Sequence, residues 1–308
     1  MIEPQIEAEW PGPERLGHLD PSASTGFHRR SAIRRLSSEP ILGLLLPRTL
    51  VMEVAHVKIG AGVTHHSLFR ARPFSRAWST ADVGLRLVWG SPTVARAAAN
   101  QVYRFHDHVN GDLPEPNPAW PQGSSYTAHD ASLLLWVWAT LLDATQVAQA
   151  RWIGPLDDAE ADALYRDFVT FAGFFGIPAA IIPADRAEFD RYFEGVIDGD
   201  ELMPTATSSA MVREVLWFRH WNVPAAAVRP ARVMAIGTLD PRIRERFGLE
   251  LSARDQRLFD RLDRALVRWY RYRPARLLQR LPPLYVSLRR PTIGWSKPAP
   301  AMAATRPG

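Results

Sequence analysis

The chain of 308 residues carries a net charge of +5 at neutral pH and is 46% hydrophobic, with 11 Trp and 13 Phe. This composition can bury one large core or two small ones, and it excludes disorder in the middle of the chain. The chain contains no cysteine. Disulfides, thiolate metal ligands and covalent C-x-x-C-H attachment of a prosthetic group are therefore excluded.

The two ends of the chain differ in composition from the segment between them. Residues 1–30 are rich in Pro, Ser, Glu and Gly with little periodicity, which predicts a flexible N-terminal arm. Residues 291–308 are rich in Pro and Ala, which predicts a disordered tail. Residues 31–290 are predicted to form one helical domain. The acidic N-terminus has no apolar run, so we expect no secretory signal and a cytoplasmic protein.

Local signals predict the first helices of this domain. Pro47 is expected in the first turn of a helix that runs to about Val63. Pro73 opens the next helix, which is expected to end at Trp89. Ser91-Pro92 then combines an N-cap residue with a proline at the first helical position, which is a strong helix start.

The helix that begins at Ser91-Pro92 is predicted to reach Val109, where Asn110-Gly111 would end it as a left-handed cap. Residues 112–125 form a Pro-rich loop, which we expect to cover the mouth of a pocket. Thr127-x-x-Asp130 has the pattern of a capping box for the helix that follows.

The most apolar run of the chain, residues 131–144, predicts a buried core helix, because a bilayer span needs about 20 residues. Helix starts are also predicted at Asp157, Asp185 and Ser252, where an acid or a capping pair precedes an apolar periodicity. No strand alternation and no repeat is visible. The predicted fold is all-α, a single large helical domain of about ten helices.

A single imidazole lies on an apolar face of the third predicted helix. Ala95, Ala99, Val102, His106 and Val109 recur at steps of four, three, four and three, so they share one face. The alanines would let a flat group such as haem lie against the helix above His106, which would then be its axial ligand. A core histidine bonded to a backbone carbonyl has the same pattern, and spacing alone leaves both interpretations open.

The preceding predicted helix carries a polar pair beside its apolar stripe. Arg76 and Thr80 are four residues apart and therefore share a face. An arginine presents a fork of donors that suits carboxylates, and haem carries two propionates. A solvent-facing arginine with an unrelated neighbour fits the spacing equally well.

Five short motifs follow one another in order: His56; His66-Ser67; Arg76-x-x-x-Thr80; His106-x-x-Val109-x-Gly111; and Leu135-Trp136-Val137-x-Ala139-Thr140-Leu141. This ordered set resembles the DUF2236 family, which contains the fungal oxygenase MpaB and the latex-clearing rubber oxygenases. The resemblance covers roughly residues 30–220. It implies an all-helical, b-type haem-dependent oxidoreductase with His106 as the proximal iron ligand, and with Arg76 and Thr80 in the haem-site signature.

The chain also departs from the family pattern. In rubber oxygenases an acid upstream of the Arg-x-x-x-Thr signature is thought to act as a base, but here the nearest upstream acid is Glu53. Cleavage of polyisoprene by that route is therefore not expected. A distal lysine next to the threonine is replaced by Ser79, and a histidine found in many relatives is replaced by Trp138.

The last predicted helix is basic and amphipathic. Arg261, Arg264, Arg268 and Arg271 lie on one face, opposite an apolar face with Leu258, Leu262, Leu266 and Trp269. An ordinary surface helix has this pattern, and so does a helix that contacts anionic lipid at a membrane periphery. No recognised nucleic-acid motif accompanies the charge, so no nucleic-acid partner is expected.

Three hypotheses of function remain open at the level of sequence. The first is a haem oxygenase or peroxygenase that uses dioxygen or peroxide on an apolar, isoprenoid-like or lipid-like substrate. The second is a haem-binding protein without turnover. The third is a helical family member that has lost haem, with His106 as a core residue. A Soret absorption band distinguishes the third hypothesis from the other two.

Overall fold

The computed structural model describes Phe27 and residues 31–66, 73–217 and 224–272. These residues form twelve α-helices and two short strands, which confirms the predicted all-α class and single helical domain. The helices are α1 (Ala32–Ser37), α2 (Pro40–Ala55), α3 (Val57–His66), α4 (Pro73–Trp89), α5 (Pro92–His106), α6 (Ala131–Ala148), α7 (Asp158–Gly173), α8 (Arg186–Asp198), α9 (Ala206–Leu216), α10 (Ala225–Thr238), α11 (Pro241–Arg246) and α12 (Ala253–Tyr272).

Apart from Phe27, the predicted arm and the predicted tail lie outside the described residues. Phe27 itself is buried, with its ring centroid 6.2 Å from that of Phe174. The N-caps predicted from sequence at Asp157, Asp185 and Ser252 all accept hydrogen bonds from backbone N–H groups three residues further on. These starts could be predicted because capping depends on residues that are neighbours in sequence.

Helices α2 and α6 form the centre of the molecule. Helix α2 packs against α6, α9 and α10. Helix α6 buries most of its side chains, including Trp136 and Trp138, each 1% exposed. Together with a following π-helical turn (Gln149–Ile153) it makes one 23-residue helix, Ala131–Ile153, that is long and apolar enough to span a membrane. Within the described residues this helix is largely buried, as a core helix would be.

The first long helix differs from the sequence prediction at both ends. It begins at Pro40 rather than Pro47, and Pro47 lies inside it. The chain then bends by 106° between α2 and α3, with His56 at the break. A methyl group at Gly60 in α3 would lie 2.6 Å from the carbonyl oxygen of Val54, so the bend brings the two helices too close for any other residue.

Helix α5 packs along α4. Its N-cap is Ser91, whose side chain accepts a hydrogen bond from the backbone N–H of Val94, as predicted. The predicted end at Val109 is wrong: the helix ends at His106, and Asp107 caps it in right-handed geometry. Gly111 does not form a left-handed cap, because it lies in a strand and has no positive φ.

A small β-hairpin follows α5, where the sequence shows no strand alternation. Strand β1 (Asn110–Asp112) pairs antiparallel with β2 (Ser125–Thr127), with Gly111 opposite Tyr126. The predicted capping box at Thr127 is also wrong, since Thr127 belongs to β2. Asp130 is instead the N-cap of α6, and it accepts a hydrogen bond from the N–H of Ser132. Three-residue strands are too short to leave a period-two signal in sequence.

Candidate functional site

A cavity of about 300 Å³ lies between α2, α3, α4, α5, β2, α6 and α7. Its described lining is mostly apolar: Glu53, Lys58, Ile59, Gly62, Val63, His66, Thr80, Val83, Gly84, Val102, Phe105, His106, Val109, Tyr126, Thr127, Ala128, Leu133, Leu134, Val137, Trp138, Leu141, Phe171 and Phe175. This volume is at the lower end of the range for pockets that bind small organic ligands.

His106 lines the cavity as the last residue of α5. The negative end of the helix dipole lies at this turn and favours a positive charge close to the imidazole. The imidazole ring of His129 lies 6.0 Å from that of His106, and His129 is itself fixed by a 2.8 Å contact from its Nε2 to the carboxylate of Asp107. The structure therefore places a half-buried imidazole with an ordered polar neighbour at the edge of an apolar cavity.

The alanines of α5 do not line the cavity, contrary to the sequence interpretation. Ala95, Ala98 and Ala99 are buried within the main core, 0%, 0% and 4% exposed. Only the last turns of the helix, from Val102 onward, reach the cavity. Helix α5 packs along α4, and these alanines belong to the same buried cluster as Val83 and Leu87 of α4. Spacing could show that they share a face with His106, but not which element covers that face.

Of the other two predicted site residues, Thr80 is on the cavity wall. Arg76 belongs to α4, but its side chain lies outside the described part of the structure. Of the three site residues that the resemblance implies, the structure therefore places His106 and Thr80 on the wall of the same cavity.

Two charged residues that the sequence did not predict also line the cavity. Glu53 is in the last turn of α2 and Lys58 in the first turn of α3, so the bend between these helices brings both to the wall. Glu53 is the only carboxylate among the described lining residues. It is also the only acid in the sequence of α2. A single acid in a largely apolar helix is the one sequence feature that could have indicated that Glu53 belongs to the site.

A second histidine, His66, lines the cavity from the end of α3. Its Nε2 donates a 2.9 Å hydrogen bond to the carbonyl of Asn110. The neighbouring His65 is hydrogen-bonded through Nδ1 to the hydroxyl of Tyr126 at 2.8 Å. Burial lowers the pKa of His65, and His66 lowers it further; burial and Asp112 raise the pKa of Tyr126 to about 12. These contacts join α3 to the hairpin and close one side of the cavity.

The bend between α2 and α3 is held by His56 and the loop of residues 112–125. His56 is 3% exposed, and its ring lies 5.4 Å from that of Trp120 in the loop. Burial, with the nearby charge of Lys58, lowers the pKa of His56 to about 3. The ammonium of Lys58 lies 4.5 Å from the Trp120 ring centroid, a cation–π contact. The loop thus packs behind Lys58, and none of residues 112–125 lines the cavity.

Trp138, where many relatives of the resembled family have a histidine, forms part of the cavity wall. Its Nε1 donates a hydrogen bond to the carbonyl of Phe168 at 2.7 Å, and its ring packs edge-on against Phe189 at 5.7 Å. The indole therefore supplies an apolar surface at this point, with its only polar atom directed to the backbone of α7.

Within the described ranges, no group of three or more His, Asp or Glu side chains could hold a bare metal ion.

Comparison with known proteins gives two kinds of match. Residues 33–269 match the family model described as the ER-bound oxygenase mpaB/B'/rubber oxygenase catalytic domain. The chain is also 29% identical over 228 residues to the uncharacterized proteins Mb2261 of Mycobacterium bovis and Rv2237 of Mycobacterium tuberculosis, covering 70% of this chain and 84% of each relative. No solved structure matches. The family model spans most of the described helices and the whole cavity lining, and the chain therefore belongs to the mpaB/rubber oxygenase catalytic-domain family.

Proposed function

We propose that this protein is a b-type haem-dependent oxygenase or peroxygenase that acts on an apolar, isoprenoid-like or lipid-like substrate, with His106 as the axial ligand of the iron. The observation that carries the proposal is the position of His106 on the wall of an apolar cavity, in a chain that belongs to an oxygenase family.

The residues on the wall suit a haem. A neutral imidazole nitrogen is a common axial ligand, and the chain has no thiolate that could replace it. Gly84 lines the cavity and has nothing within 4 Å of the place where a Cβ would be, so α4 leaves room for a planar group. Thr80 adds a hydroxyl to the same wall. Bound haem would supply activation of dioxygen or peroxide.

The chain's own residues have separate tasks in this proposal. His129, fixed by Asp107, stands next to the His106 ring and restrains its orientation. The apolar residues of α6 and α7 exclude water and bind the hydrocarbon part of the substrate. Glu53 can hold or accept a proton at the cavity wall. Arg76 remains a proposed partner of the haem propionates, on the basis of the family signature.

The first test is the visible spectrum of the protein expressed with a supply of haem. We expect a Soret band in the wild type that is lost or shifted in His106→Ala. The matched control is His108→Ala, two residues away and exposed, which should leave the spectrum unchanged. Circular dichroism establishes that each variant is folded. A Soret band that is identical in His106→Ala would overturn the ligand assignment.

Further measurements separate the alternatives of turnover, binding without turnover and loss of haem. No Soret band in folded wild type would show a helical family member without haem. A Soret band without any oxygen- or peroxide-dependent conversion of apolar alkenes or lipids would show a haem-binding protein. If turnover occurs, Glu53→Gln should lower the rate and leave the Soret band in place, which separates proton transfer from haem binding.

A further inference from the structure

Helix α12 presents a dense cationic surface to solvent. Six of its arginines are exposed and fall at steps of three and four, so they share one side of the helix; we call this surface the arginine face: Arg254, Arg257, Arg261, Arg264, Arg268 and Arg271. The opposite side of α12 is buried through Phe259 and Tyr270, which pack in one cluster with Val233 and Met234 of α10. The apolar side of α12 therefore packs against α10, and the arginine face is exposed to solvent.

Two of the three acids of α12 form ion pairs away from the arginine face. Asp255 pairs with Arg229 of α10, and Asp263 pairs with Arg151, each at 2.7 Å, while Asp260 accepts a hydrogen bond from Gln256. None of the six arginines forms an ion pair with another described residue. Six cations at this spacing repel one another, so an anionic surface would be attracted to them.

Exposed apolar side chains cluster at the C-terminal end of the same helix. Among the described residues four large hydrophobic side chains are exposed, and three of them are Val267, Trp269 and Tyr272, at 44%, 45% and 73%. Trp269 was expected on the buried side from its spacing, but it flanks the arginine face instead. Tryptophan and tyrosine prefer the boundary between water and lipid headgroups.

We propose that the arginine face of α12 docks the protein on a bilayer that contains anionic lipids, with Trp269 and Tyr272 in the headgroup layer. The arginines supply attraction to the negative surface, and the exposed aromatic end supplies apolar contact that a purely electrostatic partner would not need. Duplex nucleic acid would also attract the arginines, but binding to it would not explain the exposed apolar side chains at the C-terminal end of α12. The inference is independent of haem, because it uses no residue of the cavity.

The test is co-sedimentation of the full-length protein with vesicles of phosphatidylcholine alone and of phosphatidylcholine mixed with phosphatidylglycerol. The test variant is Arg261→Gln, Arg264→Gln and Arg268→Gln together. The control variant removes the same charge elsewhere, at the exposed Arg166, Arg191 and Arg213, also by glutamine. A third variant, Trp269→Ser with Tyr272→Ser, removes the two proposed headgroup contacts without changing charge. Circular dichroism compares the folding of all four proteins.

We expect the wild type to bind only the vesicles with phosphatidylglycerol. Each basic residue at an anionic surface contributes about fivefold in partitioning, so the test variant should bind on the order of 100-fold more weakly than the control variant. The serine variant should bind these vesicles less well than the wild type but bind duplex DNA equally. An equal loss of vesicle binding in the test and control variants would overturn the proposal, and so would a wild type that does not bind anionic vesicles. It would also be overturned if the protein bound duplex DNA more tightly than vesicles and the serine changes did not affect that binding.

Discussion

The indole Nε1 of Trp138 donates a 2.7 Å hydrogen bond to the backbone carbonyl of Phe168, which ties the cavity wall of α6 to α7. Trp138→Phe removes this bond and part of the buried ring surface. We expect the free energy of unfolding to fall by about 1–3 kcal/mol. Urea denaturation measures the change. Trp217→Phe is the control, because Trp217 is 43% exposed and the same substitution there should change stability by less than about 0.5 kcal/mol. Equal effects at both sites would contradict the packing role of Trp138.

Gly84 offers a direct test of the cavity. A leucine there would point into open space on the cavity wall, and it would replace a helix-interior glycine by a good helix former. Gly84→Leu should therefore stay folded and bind haem at least about tenfold more weakly, as measured by titration of the Soret band. Gly195→Leu is the control, because Gly195 also has nothing within 4 Å but lies outside the cavity. Unchanged haem affinity in Gly84→Leu would place the haem elsewhere.

His56 should make the protein sensitive to mild acid. Its pKa is lowered from 6.5 to about 3 by burial, so the folded protein holds it neutral. Below pH 6.5 the unfolded chain binds a proton at His56 that the folded chain does not bind. The free energy of unfolding therefore decreases as the pH falls from 6.5 toward 3. The expected slope is about 1.4 kcal/mol of unfolding free energy per pH unit.

Urea denaturation at several pH values in this window tests the role of His56. In His56→Gln the slope should be smaller by about this amount, because the carboxylates that also titrate are common to both proteins. His108→Gln, at an exposed position, should retain the wild-type slope. A slope in His56→Gln equal to that of the wild type would show that another group is responsible.

Gly60 should be required by the bend between α2 and α3. In Gly60→Ala the new methyl group would lie 2.6 Å from the carbonyl oxygen of Val54 and 3.3 Å from the Cβ of Ser208. Backbone atoms must move to relieve this contact, at a cost of roughly 1–3 kcal/mol in stability. Gly43→Ala in α2 has nothing within 4 Å and should instead stabilise the protein by roughly 0.5–1 kcal/mol. Thermal unfolding of the two variants should therefore shift in opposite directions; a shift in the same direction would contradict the crowding at Gly60.

Much of the fold could be predicted because its signals are local. The start of α5 at Ser91 and the starts of α7 and α8 depend on side chains that bond to backbone groups three residues away. The basic side of α12 could be predicted from the helical period. The family motifs also predicted His106 and Thr80 as site residues, and both lie on the wall of one cavity.

The features that could not be predicted arise from contacts between segments distant in sequence. The alanines of α5 face the protein core rather than the cavity, and a helical period shows only which residues share a face, not what packs against it. Trp269 is exposed for the same reason. The sequence predicts too late an end for α5 because Asn110 and Gly111 pair with β2, a strand that begins at Ser125, fifteen residues after Asn110.

The sequence by itself thus determined the all-α class, most helix starts, the absence of thiolate chemistry and the candidate histidine, since these follow from composition and from neighbouring residues. Only the tertiary structure decided that Glu53 and Lys58 reach the cavity, because a 106° bend at His56 turns the ends of two helices toward it. That bend depends on the close approach at Gly60 and on the packing of Trp120 from a distant loop. Burial and close contact between remote segments produce no periodic pattern in the sequence. The positions of Glu53 and Lys58 on the cavity wall could therefore be seen only in the tertiary structure.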